Sequence, residues 1–190
     1  AWNDLLSRIE ITSDDKIAKS RFYTNLYRSF CRNTFSDVDG RWRDAMGRVQ
    51  QFSEPDGVAL GCDAFWNTFW NLNQLWNLIF PEWSSRWVRS ELAMYDANGF
   101  LAKGPAGMKY IPVMVAEHEI PLMVGAWQMG IRDFSGEKVL QAVEKMRTKH
   151  LLYLHKGKPL RKQEYLPICT LQNWKQNAVL PQSVLRMPAQ

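Results

Sequence analysis

The run AFWNTFWNLNQLWNLIF, Ala64 to Phe80, contains no charged side chain. Asp63 stands before it as a candidate N-cap, and Pro81 closes it because proline cannot continue a helix. Phe65, Phe69, Leu72, Trp76 and Ile79 recur at three- and four-residue spacing, which predicts one helix about 25 Å long at 1.5 Å per residue. A surface helix would carry Lys and Glu on its other side. This one carries Asn67, Asn71, Asn73, Gln74 and Asn77, interleaved with Trp66 and Trp70. The expectation is a helix buried all round, whose second face meets something polar but neutral. Asn is a poor helix former, so its density here has a reason other than helix making.

Sugars supply one such reason. Their hydroxyls pair with amide donors and acceptors, and their C–H faces lie on aromatic rings. The alternative is structural: the amides bond to neighbouring helices, and Trp66 and Trp70 fill space. Composition leaves both open.

At 190 residues the chain can form one sizeable core, as one domain or part of one. It opens Ala1-Trp2-Asn3, and Trp2, Leu5, Leu6 and Ile9 are already in helical rhythm, as in the middle of a longer protein. No signal-peptide pattern and no membrane-spanning run is present. Cys31, Cys62 and Cys169 are odd in number and far apart, which indicates neither a disulfide framework nor a zinc site. The net charge of +5 invites a nucleic-acid reading, but from Arg147 onward eight Lys or Arg face the single Glu164. That tail carries +7 and the first 146 residues −2, so the basic excess belongs to the tail, and no nucleic-acid partner is expected.

Outward from the central run, a first helix ends near Ile9. Ser13-Asp14-Asp15 offers N-cap chemistry for a second, from Asp15 to about Phe30, with Ile17, Phe22, Leu26 and Phe30 toward a core. Arg32–Arg43 and Phe52–Gly61 read as loops, the latter entered by a short strand. A helix from Trp83 to about Ala97 alternates Trp87, Leu92 and Tyr95 with Arg86, Arg89 and Glu91, and Asn98-Gly99 ends it. After a broken loop, Phe100 to Met108, a helix spans Glu117 to Gly130 with Pro121 in its first turn. Ser135 caps a last one, Gly136 to about Lys149. The fold class is therefore all-α, built of antiparallel helix pairs, over residues 1–149. Residues 150–190 are expected to be an irregular basic tail.

The sequence offers little obvious chemistry. Asp37-Val38-Asp39-Gly40 begins like a calcium loop, but its twelfth position is Arg48 rather than Glu, so it reads as a turn. Glu117-His118-Glu119 cannot chelate together on one helix, since neighbours point about 100° apart. It reads as a helix start whose acidic residues suit the dipole. Gly104-Pro105-Ala106-Gly107 lacks the Lys-Ser/Thr of a phosphate loop.

Four blocks nevertheless resemble one family. They are Phe22-Tyr23-Thr24-Asn25-Leu26-Tyr27; Phe35-Ser36-Asp37-Val38-Asp39-Gly40-Arg41-Trp42; Phe65-Trp66-Asn67-Thr68-Phe69-Trp70; and Met114-Val115-Ala116-Glu117-His118 running into Ala126-Trp127-Gln128-Met129-Gly130-Ile131. In order and spacing they are similar to glycoside hydrolase family 92 over roughly Trp2 to Met146. The resemblance implies part of an (α/α)6 toroid preceded by a β-sandwich. It also implies a periplasmic or extracellular, calcium-dependent exo-α-mannosidase that inverts the anomeric centre of a mannose-containing glycan. In such a mechanism one carboxylic acid protonates the leaving oxygen and a second carboxylate activates water on the opposite face.

The family usually reads Trp-Asp-Thr-Phe-Arg in the third block, where Trp and Asp meet the terminal mannose. Trp66 matches, whereas Asn67 and Trp70 replace the Asp and the Arg. The implied substrate-binding residues are Trp66, Asn67, Trp70 and His118. The segments that hold the family's acid, base and calcium ligands do not occur here, so no catalytic or metal residue is assigned, and the rest of a parent polypeptide is the expected partner. The chain alone is expected to be inactive, and truncation or a frame shift within 148–190 would account for the abrupt tail. The rival readings are a non-catalytic glycan-binding domain and a purely structural helical domain.

Overall fold

The computed structural model of the chain describes residues 2–31, 33–62, 65–106, 109–110, 117–148, 154–155 and 158–159. Its helices are α1 (Trp2–Leu6), α2 (Lys16–Phe30), α3 (Phe65–Phe69), α4 (Leu72–Ile79), α5 (Pro81–Asn98), α6 (Glu119–Gln128) and α7 (Gly136–Thr148). Short strands intervene: β1 (Asn33–Thr34), β2 (Arg41–Arg43), β3 (Val49–Gln51), β4 (Leu60–Gly61), β5 (Pro105–Ala106), β6 (Lys109–Tyr110), β7 (Leu154–His155) and β8 (Lys158–Pro159). They pair as four antiparallel two-stranded ladders, β1 with β4 and the others consecutively. The fold is mostly helical, and the all-α expectation is corrected by these ladders. Residues 32–43 and 52–61 are not wholly loop, because β1 and β4 cross-pair to bring Asn33 opposite Gly61.

The caps read from sequence are in place. Asp15 Oδ1 accepts from the N–H groups of Ile17 at 2.8 Å and Ala18 at 3.0 Å, starting α2. Gly99 ends α5 in the left-handed region at φ 79°, and Ser135 Oγ accepts from Lys138 N at 3.2 Å. The proposed Asp63 cap lies outside the described residues, as does most of the tail. Ile17 is a correction: it is 64% exposed, because only the later half of α2, with Leu26 and Phe30, enters a core.

The central run is also corrected. It forms two helices, broken at Trp70–Asn71, where Asn71 takes φ −157° and ψ −22°. Asn favours such non-helical conformations. The side chain of Gln74 donates to the Phe69 carbonyl at 3.2 Å, satisfying an acceptor at the end of α3. Nor is the run buried all round, since Trp66 is 40%, Trp70 66% and Leu78 67% exposed.

Two consecutive turns organise the β2–β3 ribbon. Asp37 accepts from the backbone N–H of Asp39 and Arg41 and from Arg41 Nε, and Asp44 accepts likewise from Met46, Arg48 and Arg48 Nε. Gly40 and Gly47 close the two turns at φ 77° and 81°. Both aspartates are thus committed to their own loops. Arg48 also donates to the carbonyl of Ala97, fastening the ribbon to the end of α5.

Helix α5 sits at the centre and packs against α4, α6 and α7. On one side Trp87 stacks on Trp76, with centroids 6.0 Å apart and planes 16° apart, and meets Phe65 edge-on at 5.3 Å. All three are fully buried. On the other side Val88 and Leu92 join Met123, Val139 and Met146 in a core shared by α5, α6 and α7. The short α3 therefore rests on an aromatic floor built by α4 and α5.

Candidate functional site

Backbone bonds hold the start of α3. Phe65 N donates to Lys103 O at 3.3 Å, and Cys62 N donates to Pro105 O at 3.0 Å. Gly61 is needed for this approach, since a Cβ there would lie 2.7 Å from the Pro105 carbonyl oxygen. With Phe65 and Thr68 buried, the helical turn of about 100° per residue puts Trp66 and Asn67 outside.

A row of rings results. The Trp66 and His118 centroids are 5.6 Å apart, those of His118 and Phe69 are 4.8 Å apart, and those of Phe69 and Trp70 are 5.9 Å apart. The structure thus brings Trp66 directly to His118, links Trp70 to His118 through Phe69, and leaves Asn67 exposed on the same short helix. Phe69, which the sequence spacing puts in the apolar stripe, is the hub of the row. Burial, and then the charge of Lys103, hold the His118 imidazole below its ordinary pKa. A neutral imidazole offers one donor and one acceptor, which suits hydroxyl groups.

The amide face divides. Asn67, Asn71 and Gln74 are exposed, whereas Asn73 is buried and Asn77 half-buried. Asn77 Nδ2 faces Gly125 of α6, where an added Cβ would stand 3.4 Å away. These two amides point inward, but neither Asn73 amide atom nor Asn77 Oδ1 has a hydrogen-bond partner among the described residues, so bonding to neighbouring helices is not what places them there.

Sequence reading missed two acids. Glu91 was placed with the charged residues of its helix and Glu119 in a dipole-stabilised helix start, yet both are completely buried. Glu119 does open α6. Glu91 falls in the stripe of Val88, Leu92 and Tyr95, a spacing that could have shown its inward position. Both carboxyls are pushed upward mainly by burial, Glu119 to about 8.

Among the described residues no group of three or more His, Cys, Asp or Glu could hold a metal ion. With Asp37 and Asp44 engaged in their turns, these residues do not fit a calcium site. A cavity of about 420 Å³ lies against the β2–β3 ribbon, lined by Phe35, Asp37, Arg41, Trp42, Arg43 and Val49, and shares no residue with the aromatic row.

The family model for the glycosyl hydrolase family 92 catalytic domain matches residues 1–182. No curated protein matches the chain. Among solved structures, a family 92 α-mannosidase from Bacteroides thetaiotaomicron is similar with a TM-score of 0.69 at 21% identity, over 77% of this chain and 20% of that one. The same enzyme in complex with mannoimidazole gives the same score over 19% of its chain. A family 92 inverting mannosidase from B. thetaiotaomicron VPI-5482 gives 0.61 at 28% identity, over 74% of this chain and 19% of its own. The chain thus spans about a fifth of the length of these structures.

Proposed function

This chain belongs to glycosyl hydrolase family 92, and we propose that it supplies part of the terminal-mannose subsite of an exo-acting α-mannosidase. The observation that carries the reading is the uncharged aromatic row, with the half-open Trp66 ring against a neutral His118 and the Asn67 amide exposed beside it. In this reading Trp66 receives a C–H face of the sugar, His118 and Asn67 exchange hydrogen bonds with its hydroxyls, and Trp70 extends the apolar rim.

The helices would form the first part of an (α/α)6 toroid of antiparallel pairs, completed by the rest of a longer polypeptide. An inverting hydrolase needs an acid and a base about 6.5–9.5 Å apart on opposite sides of the sugar. Glu91 and Glu119 do not fill these roles, since neither has any surface open to a sugar or a water. In this reading the catalytic carboxylates and the ligands of any calcium lie in other parts of a longer protein, and this chain by itself is an inactive piece. A periplasmic or extracellular location goes with this reading. No described helix is long and apolar enough to cross a membrane.

Asn67→Ala in the full-length protein tests the proposal. Losing one neutral hydrogen bond of about 0.5–1.5 kcal/mol lowers mannoside turnover roughly two- to tenfold and leaves the fold intact. Wild-type kinetics in that variant would return Asn67 to a structural role.

A further inference from the structure

Lys103 lies between α5 and α6 and is fastened at both ends. Its carbonyl accepts the N–H of Phe65 at 3.3 Å, at the start of α3, and its ammonium stands 4.0 Å from Glu117 Oε1. The two side chains are 8% and 16% exposed, so the ion pair is largely shielded from water. Glu117 is itself fixed at the entry to α6, where its carbonyl accepts the N–H of Ile120 at 3.1 Å. Trp66 follows Phe65 in the chain, and His118 follows Glu117.

Such a link meets a structural need. Helix α3 has five residues, too few to be stable through its own hydrogen bonds, so its place is set by what tethers it. A lysine is seldom buried unless its charge is paired, and the carboxylate of Glu117 supplies that pairing beside the residue that meets Trp66.

We propose that Lys103 is a positioning residue, which together with Glu117 forms a strut between the start of α3 and the start of α6 and holds Trp66 against His118. The strut belongs to this chain alone, and its service to a sugar subsite rests on the mannosidase reading above.

Two effects on His118 can be told apart by sign. Removing the Glu117 carboxylate would by charge alone lower the His118 pKa, because a neighbouring acid favours the protonated imidazole. Freeing the imidazole from its seat between Trp66 and Phe69 would raise the pKa toward about 6.5, because burial is the main cause of its depression.

The test is NMR of the chain, wild type against Glu117→Gln and against the double variant Lys103→Met with Glu117→Gln. The double variant keeps the Lys103 backbone carbonyl that holds Phe65 and leaves neither charge buried without the other, so it should stay folded. The strut predicts that both variants lose the cross peaks between the Trp66 indole and His118 imidazole protons, while the Trp76 and Trp87 signals of the core stay in place. It also predicts a higher His118 pKa in Glu117→Gln. Wild-type Trp66–His118 cross peaks in a folded variant, or an unchanged or lower His118 pKa in Glu117→Gln, would overturn it. If neither variant folds, the wild-type protein decides: cross peaks between the Lys103 Hε and Glu117 Hγ protons support the strut, and their absence overturns it. No sugar enters these readouts, so their failure would remove the strut and leave the mannosidase reading standing.

Discussion

The indole of Trp66 faces the imidazole of His118 with ring centroids 5.6 Å apart and planes inclined by 35°. Phe69 closes on the same imidazole at 4.8 Å, so His118 is wedged between two rings contributed by one short helix. Such a seat favours the uncharged imidazole, and the nearby Lys103 adds to the effect. His118 should therefore titrate below the usual value of about 6.5, keeping its neutral form at pH 7. Its NMR titration checks this, and protonation at or above the ordinary pH would contradict the packing described.

The aromatic floor should dominate stability. Trp76 has no exposed surface and stacks on Trp87. Trp76→Ala should cost about 3–5 kcal/mol, read as a lower midpoint in urea denaturation. A loss below about 1 kcal/mol would mean that α4 does not pack on α5 as described.

Asp44 should govern the acid limb. Burial works to raise its pKa, but hydrogen bonds from Gln50, from Arg48 and from Met46 outweigh it and the pKa is lowered. A depressed carboxylate gives stability that is present above its unfolded pKa, near 3.9, and is lost as pH falls below that. Asp44→Asn should lower stability at pH 7 by roughly 1–3 kcal/mol and flatten the decline in acid. Unchanged acid unfolding in that variant would show that the turn does not depend on the ionised form.

Two glycines should behave differently. At Gly47 an added Cβ meets nothing within 4 Å, so Gly47→Ala costs only the left-handed backbone at φ 81°, about 1–2 kcal/mol. At Gly136 it would stand 2.5 Å from the ring of Trp127, which also carries Arg132 over its face at 3.9 Å. Gly136→Ala should perturb Trp127 and shift the tryptophan fluorescence, whereas Gly47→Ala should not. Identical spectra for the two variants would count against the packing of α7 on α6.

The parts legible in the sequence are those fixed by local chemistry. Asp15, Pro81, Gly99 and Ser135 mark helix ends because each solves a backbone problem that needs no tertiary partner. The break at Asn71 was not legible, since a run of apolar and amide residues fits one helix or two and packing makes the choice. Trp66 and His118 could be singled out from the resemblance, but their contact joins elements far apart in sequence. Glu91 and Glu119 are buried although charge ordinarily marks a solvent-facing position, and for Glu91 the stripe with Val88 and Tyr95 is the sequence feature that points inward. The ladder between β1 and β4 was hidden for another reason: two-residue strands have no periodicity to detect.

The most direct measurement is calorimetric titration of mannoimidazole into the full-length protein, wild type against Trp66→Ala. If Trp66 receives the terminal sugar, the variant should stay folded and lose at least tenfold in affinity, about 1.4 kcal/mol. Equal affinity in a folded Trp66→Ala protein would contradict the assignment of this aromatic row to the mannose subsite.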